Sequence, residues 1–258
     1  MIVDAHAHIT PDGKWFKTKH DASLKRLLES RAKVPIDKIV LLPIEGVATN
    51  KFISKICRKY QDIFIGFATV NPLQGKKAMN ELKEAILKFN LKGLKLHPRL
   101  QKFEPWDYRI LPILEIAAQL NIPVLFDLFL RDVEAAKLNN PFAYDAIAKR
   151  LPELNIILAH SGGCYLTDAM NVAKMNRNIY LDISYSLIYY QNNPIYKDFV
   201  TLIRKIGVNK FIYGSDFPEM DIFTYYEKSK EVLKELPIDN QELIYSRNIL
   251  SLLKVKYE

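Results

Sequence analysis

The sequence predicts an α/β protein built as a single (β/α)8 barrel, distorted and carrying an extra C-terminal helix. Three observations predict it. Short apolar, β-branched runs recur eight times along the chain, and near-continuous apolar strands are what a parallel sheet covered by helices requires. The segments between the runs carry apolar residues at helical spacing, so each run and its successor make one βα unit. The length, 258 residues, matches one such barrel, roughly 250 residues. An open doubly wound sheet would show the same alternation, but its usual marker after the first strand, GxGxxG, is absent. One domain over residues 1–258 is expected.

The strands run in order as Ile2–His6, Lys38–Pro43, Phe64–Val70, Gly93–His97, Ile122–Asp127, Asn155–His160, Asn178–Ile183 and Lys210–Asp216. Between them, Leu24, Leu27 and Leu28 share one helical face, as do Leu82, Ala85, Ile86 and Phe89, and again Ile113, Leu114, Ala117 and Ala118. The loop from Thr10 to His20 carries the turn signal Pro11-Asp12-Gly13 and then Trp15-Phe16, read either as an exposed aromatic pair at a substrate mouth or as packing against a helix. The tail from Ile222 reads as a helix, a turn at Pro237-Ile238-Asp239-Asn240, and a closing helix ending in Leu250, Leu252 and Leu253.

Composition excludes several classes. Apolar residues are 49% and charged residues 26%, a balance that supports a core and argues against disorder. No apolar run reaches the roughly 18–20 residues of a membrane span, and no signal-type segment opens the chain, so a cytoplasmic protein without membrane contact is expected. Cys57 and Cys164 form no CxxC pair and read as free thiols. The formal charge is +8, but the lysines are scattered over helical segments without interleaved aromatics. They read as solvated faces rather than a nucleic-acid surface. The expected partner is a small molecule, with a homodimer left open.

The chemistry sits at the strand ends. Of five histidines, four close a predicted strand: His6 and His8 at the first, His97 at the fourth and His160 at the sixth. In an α/β barrel that rim is where active sites are built. His20, between Lys19 and Asp21, reads as a surface residue. Pleat alternation puts Asp4, His6 and His8 on one face, and two imidazoles at i and i+2 can converge on one ion. A His-x-His pair alone says little, since imidazoles also hydrogen-bond within barrel mouths. Asp216, ending the eighth strand next to the first, strengthens it by offering a carboxylate from the other side.

Val3-Asp4-Ala5-His6-Ala7-His8, Gly93-Leu94-Lys95-Leu96-His97-Pro98, Ile157-Leu158-Ala159-His160-Ser161-Gly162-Gly163 and Tyr213-Gly214-Ser215-Asp216-Phe217-Pro218 look like the motifs of the amidohydrolase superfamily. Within it they resemble the amidohydrolase-2 group of lactonases, amidases and related decarboxylases. Tyr245-Ser246-Arg247-Asn248-Ile249-Leu250 resembles that group's closing helix. The resemblance implies that His6 and His8 are metal ligands, that Asp216 ligates metal and moves a proton, that His160 polarises the substrate or acts as acid/base, and that His97 lies on the substrate side. The chain departs from the pattern at Asp127, where the group usually has a histidine ligand. A carboxylate there can still bind Zn²⁺, Mn²⁺ or Mg²⁺, and Asp127 is carried as a further metal ligand, with capping of the next element as the plain alternative. Lys95 lies one layer below His97 and is expected to pair with a carboxylate such as Asp4.

These readings converge on hydrolysis of an amide, lactone or ester by a metal-activated water at a site holding one divalent ion, zinc first, manganese or magnesium otherwise. Arg99 and Arg131 are placed to meet a substrate carboxylate. A decarboxylase would use a similar constellation. A metal-dependent nuclease of a related barrel would want extra carboxylates at the fourth strand, where this chain has Lys95 and His97. A metabolite-binding barrel that has lost catalysis rests on Asp127 alone.

Overall fold

The computed structural model describes residues 1–129 and 138–255. The strands are β1 (Val3–Ala7), β2 (Lys38–Leu41), β3 (Phe64–Gly66), β4 (Ala68–Thr69), β5 (Leu94–Leu96), β6 (Val124–Phe126), β7 (Ile156–Leu158), β8 (Ile179–Asp182) and β9 (Phe211–Ile212). All pair in parallel, in the orders β1-β2-β3 and β4 through β9. The third predicted strand is one run interrupted at Phe67. The interruption is local, because Phe67 N–H still donates to Leu41 O (3.0 Å) and Ala68 N–H to Gly93 O (2.7 Å).

The sheet closes between its first and last strands. Ala5 N–H donates to Tyr213 O (3.0 Å), Asp216 N–H to His6 O (2.8 Å) and His8 N–H to Phe217 O (2.7 Å). Eight predicted runs thus form one barrel, and helices join them on the outside. Ser23, Thr49 and Asp221 cap their helices by accepting backbone N–H groups, which satisfies donors that a helix start leaves unpaired. No helix among the described residues is long and apolar enough to cross a membrane. Cys57 is half-buried and Cys164 exposed, both free.

Apolar side chains divide by the pleat. Leu94, Leu96, Val124, Phe126, Ile156 and Leu158 belong to the core shared with the helices. Val3, Ala5, Val40, Phe67, Leu125, Ile157 and Ile212 form a second cluster, joined by Ile249, Leu250, Leu252 and Leu253 of the closing helix. That helical tail begins earlier than the sequence suggests. Ile238–Glu242 is already helical and continues through a wider turn, Leu243–Arg247, into Asn248–Leu253. Pro237 starts the element instead of interrupting it, since proline is well tolerated at a helix beginning.

Inside the barrel Phe67, fully buried, lies across Gly93. A Cβ built on Gly93 would stand 2.4–2.6 Å from three ring carbons. Gly93→Ala is therefore expected to destabilise the fold by about 1–3 kcal/mol, the usual cost of overpacking a rigid interior. The urea midpoint measures it, and an unchanged midpoint would show that the ring can swing aside.

Candidate active site

The β1 ladder shifts register between Asp4 and Ala7, and this irregularity sets up the site. It breaks the simple alternation that would group Asp4 with His6 and His8. Asp4 turns instead to Ser215, accepting from its N–H (2.8 Å) and its Oγ–H (2.6 Å). Burial pushes the Asp4 carboxyl up to about 7, against the pull of the Ser215 bonds. The expected Lys95–Asp4 pairing is not made: Lys95 Nζ lies 3.7 Å from Asp127 Oδ2.

His6 and His8 face each other, Nε2 to Nε2, at 3.2 Å. Asp216 Oδ1 lies 3.5 Å from His6 Nε2 and 3.7 Å from His8 Nε2. The tautomers follow from the opposite edges of the rings. His8 Nδ1 is 2.6 Å from Leu42 O, and a carbonyl only accepts, so Nδ1 carries the proton. His6 Nδ1 is 2.5 Å from Asp182 Oδ2 and 3.1 Å from Ser184 Oγ, so its proton is committed there too. The two Nε2 atoms and a carboxylate oxygen are left pointing at one another, an arrangement that needs a cation, a proton or a metal ion, between them.

The distances suit such a cation. Two donors each about 2.0–2.1 Å from a tetrahedral zinc lie about 3.3–3.4 Å apart. The partners on the far ring edges, Asp182 and the Leu42 carbonyl, are the kind that orient ligating imidazoles. His6, His8 and Asp216, all buried, are the metal-capable group among the described residues. Burial and Lys95 lower His6 to about 4 despite Asp182, which keeps the ring neutral as a ligand must be. Burial would raise Asp216, but the His160, His8 and His6 imidazoles bring it to about 2.

Asp127, which the sequence suggests as a further donor, lies outside this group. It ends β6 and serves a second cluster. Its Oδ2 lies 3.2 Å from His160 Nε2 and its Oδ1 3.4 Å from His97 Nε2, with Lys95 alongside. Burial alone would raise its carboxyl, yet His97, Lys95 and His160 hold it well below the usual range. Lys95 Nζ is buried and makes no hydrogen bond to the described residues, and burial lowers its pKa against Asp127, Asp216 and Asp182. His97 is brought down to about 3 by burial, opposed by Asp127.

His160 carries both of its protons. Nδ1 faces Ser184 O at 3.1 Å and Nε2 faces Asp127, and both partners accept. Burial would lower its pKa; Asp216, Asp127 and Asp182 together raise it to about 9. The ring reaches this place because the chain turns left-handed after β7, through His160, Ser161, Gly162 and Gly163 (φ 56°, 48°, 87° and 56°). Side chains are not accommodated at the two glycines: a Cβ on Gly162 would stand 2.4 Å from Ala169 Cβ, and one on Gly163 2.6 Å from Leu128 O. Such strained turns persist where the surroundings enforce them, and they gather at functional sites. Asp216 is left-handed as well, at φ 67°.

A cavity of about 450 Å³ opens over both clusters. His8, His97, Asp127, His160 and Asp216 reach it, and its walls include Trp15, Phe16, Phe129 and Tyr185. Arg99 lines it, half-buried, with Nε lacking a hydrogen-bond partner among the described residues. Arg131 lies outside the described residues. His20 is at the surface, 3.7 Å from Glu219. Trp15 and Phe16 part company: Trp15 is 4% exposed and stacks on His8, whereas Phe16 is 49% exposed.

Two residues go unnoticed in the sequence. Asp182 is a carboxylate ending an apolar strand, the same signal that singles out Asp216, and it orients His6. Ser184 bridges the clusters, with Oγ 3.1 Å from both His6 Nδ1 and His160 Nδ1 and 2.9 Å from Asp182 Oδ2. Nothing in its sequence setting marks it.

Solved structures share the fold over nearly the whole chain. A TIM-barrel protein from Bordetella bronchiseptica superposes with a TM-score of 0.80 at 19% identity, covering 98% of each chain. A probable 2-pyrone-4,6-dicarboxylic acid hydrolase from Acinetobacter baumannii, with citric acid bound, gives 0.72 at 17%, covering 98% of this chain and 99% of the other. A 5-carboxyvanillate decarboxylase from Novosphingobium aromaticivorans, a variant with manganese and a nitrobenzoic acid bound, gives 0.75 at 12%, covering 98% and 97%. No curated protein matches the sequence. The sequence profile described as Amidohydrolase matches residues 3–255, and the chain belongs to that family.

Proposed function

We propose that the chain is a metal-dependent hydrolase of a small amide, lactone or ester that carries a carboxylate, with residues 1–258 working as one domain. One observation carries the reading: His6 Nε2, His8 Nε2 and Asp216 Oδ1 converge while both imidazole protons are committed elsewhere. Two imidazoles and a carboxylate suit zinc first, with manganese or magnesium as alternatives. The ion supplies Lewis acidity when bound.

The chain's own groups do the rest. Asp216, ionised at neutral pH, accepts the proton of the attacking water and returns it to the leaving group. His160 is a fixed positive charge beside the place where carbonyl oxygen becomes negative. Asp127 keeps that charge in place. His97 and Arg99 line the substrate side of the cavity, and Arg99 is the cation that meets a substrate carboxylate. The cavity volume suits a small molecule.

Decarboxylation is the second reading. His160, with a proton on each nitrogen, is an acid able to protonate the carbon that loses CO₂. Product analysis separates the two, through released CO₂ against a hydrolysed acid.

The first test is metal content of protein purified without chelator. About one zinc or manganese per chain, lost in His6→Ala/His8→Ala, is the expected result for a three-donor site. Protein that takes up neither Zn²⁺ nor Mn²⁺ on loading would overturn the reading.

A further inference from the structure

The loop between β1 and the first helix does more than cover the cavity. Thr10 N–H donates to Ala22 O (3.0 Å) and Ala22 N–H to Gly13 O (2.8 Å), which pins both ends of the loop together. Within it, Trp15 packs with Ala22 and Ile44 in a small core separate from the barrel's. Its indole lies on the His8 imidazole, ring centres 5.0 Å apart and planes 28° apart. Its Nε1–H donates to Glu219 Oε1 at 2.9 Å. Glu219 follows Asp216 by three residues, on the far side of the barrel closure.

An imidazole held only at Nδ1 can still rock about that hydrogen bond. The Leu42 carbonyl fixes one edge of His8, and the indole fixes its plane. Both are needed to keep Nε2 aimed at His6 and Asp216. The carboxylate of Glu219 in turn ties the indole to the segment that delivers Asp216, so the loop that orients one donor is latched to the segment that carries another.

We propose that Trp15 and Glu219 are positioning residues of the metal centre. Trp15 sets the plane of His8 and Glu219 holds Trp15 in place. This rests on the metal reading of His6, His8 and Asp216. It also makes Trp15 a reporter, because an ion at His8 Nε2 sits beside the stacked indole.

The chain has two tryptophans, and the other, Trp106, is 53% exposed and away from the cavity. With excitation selective for tryptophan over the 14 tyrosines, a Trp106→Phe protein therefore emits from Trp15 alone. Co²⁺ added to this chelated protein is expected to quench that emission saturably, with Zn²⁺ displacing Co²⁺ and restoring it. Glu219→Ala in the same background is expected to red-shift the emission and weaken Co²⁺ binding by about 10-fold or more, the usual scale for groups that orient ligands. Glu219→Gln keeps an acceptor oxygen and is expected to retain both properties. Trp15→Leu, followed by calorimetry of Co²⁺ binding, is expected to lose as much as Glu219→Ala.

Absence of saturable quenching, together with no calorimetric Co²⁺ binding, in the Trp106→Phe protein would overturn the metal reading and this inference with it. Binding that is intact there and equally tight in folded Glu219→Ala and Trp15→Leu proteins would overturn the positioning role alone.

Discussion

Replacing Asp216 by asparagine is expected to lower turnover by about 10²–10⁴-fold, the scale of losing a positioned acid–base group, and to weaken Co²⁺ or Zn²⁺ binding in parallel. The substitution is a clean one. Asparagine matches the shape, tolerates the left-handed backbone found there at φ 67°, and leaves the N–H bond to His6 O intact. What it removes is the negative charge, the one anionic donor in a group whose other members are two imidazoles. The charge is present at every ordinary assay pH, because the neighbouring imidazoles hold the carboxyl near 2. The same charge does most to support the His160 cation against burial, so the substitution also weakens the positive charge proposed to meet the developing oxyanion. Steady-state kinetics on a lactone or ester substrate, paired with a metal titration, reads both effects. Turnover within about tenfold of the parent would remove Asp216 from the proton path.

Much of the fold was legible because a parallel barrel writes itself in apolar runs. Each of the eight runs is a strand, trimmed at its ends, since rim residues such as His97 and His160 leave the ladder to enter the site. The exceptions are local. The interruption at Phe67 and the register shift after Asp4 depend on how neighbouring strands meet, and a residue's own sequence setting does not carry that information. The shift matters most, because pleat counting groups Asp4 with His6 whereas the structure gives Asp4 to Ser215. In the candidate site, the convergence of His6, His8 and Asp216 was readable from residue type and rim position. Asp182 lies 176 residues from the histidine it orients, and the relation exists only once the barrel closes. Trp15 was visible as an aromatic in a loop, but its stacking on His8 needs the loop's pinned ends. Asp127 shows the limit of reasoning from residue type: a carboxylate at a rim suits a metal, and its sequence setting does not show that Lys95, His97 and His160 gather around it.

That gathering predicts the largest effect on stability. Asp127→Asn is expected to cost about 3–5 kcal/mol at neutral pH, the range for removing one partner of a buried ion pair. The ammonium of Lys95, 1% exposed, is left with no adjacent counter-charge and no hydrogen bond among the described residues, and His160 loses the acceptor at Nε2. Lys95→Met should cost less, because Asp127 keeps the doubly protonated His160. The double variant should recover much of the loss by removing both charges together. The pH dependence has a definite sign. A lysine whose native pKa is lowered binds more protons unfolded than folded between its native value and its ordinary one, so stability rises with pH across that window. Without Asp127, the nearest carboxylate opposing that lowering, the window widens. His160 runs the other way in the parent. Raised to about 9, it contributes stability that is full below its ordinary value of 6.5 and lost as pH climbs through 9. Both effects make the gap between parent and Asp127→Asn narrow from neutral pH toward pH 10. Urea unfolding of the chelated proteins across that range measures it. A gap that stays constant with pH would assign the loss to packing around Asp127, and Lys95 would then be a buried cation matched by the more distant carboxylates of Asp216 and Asp182.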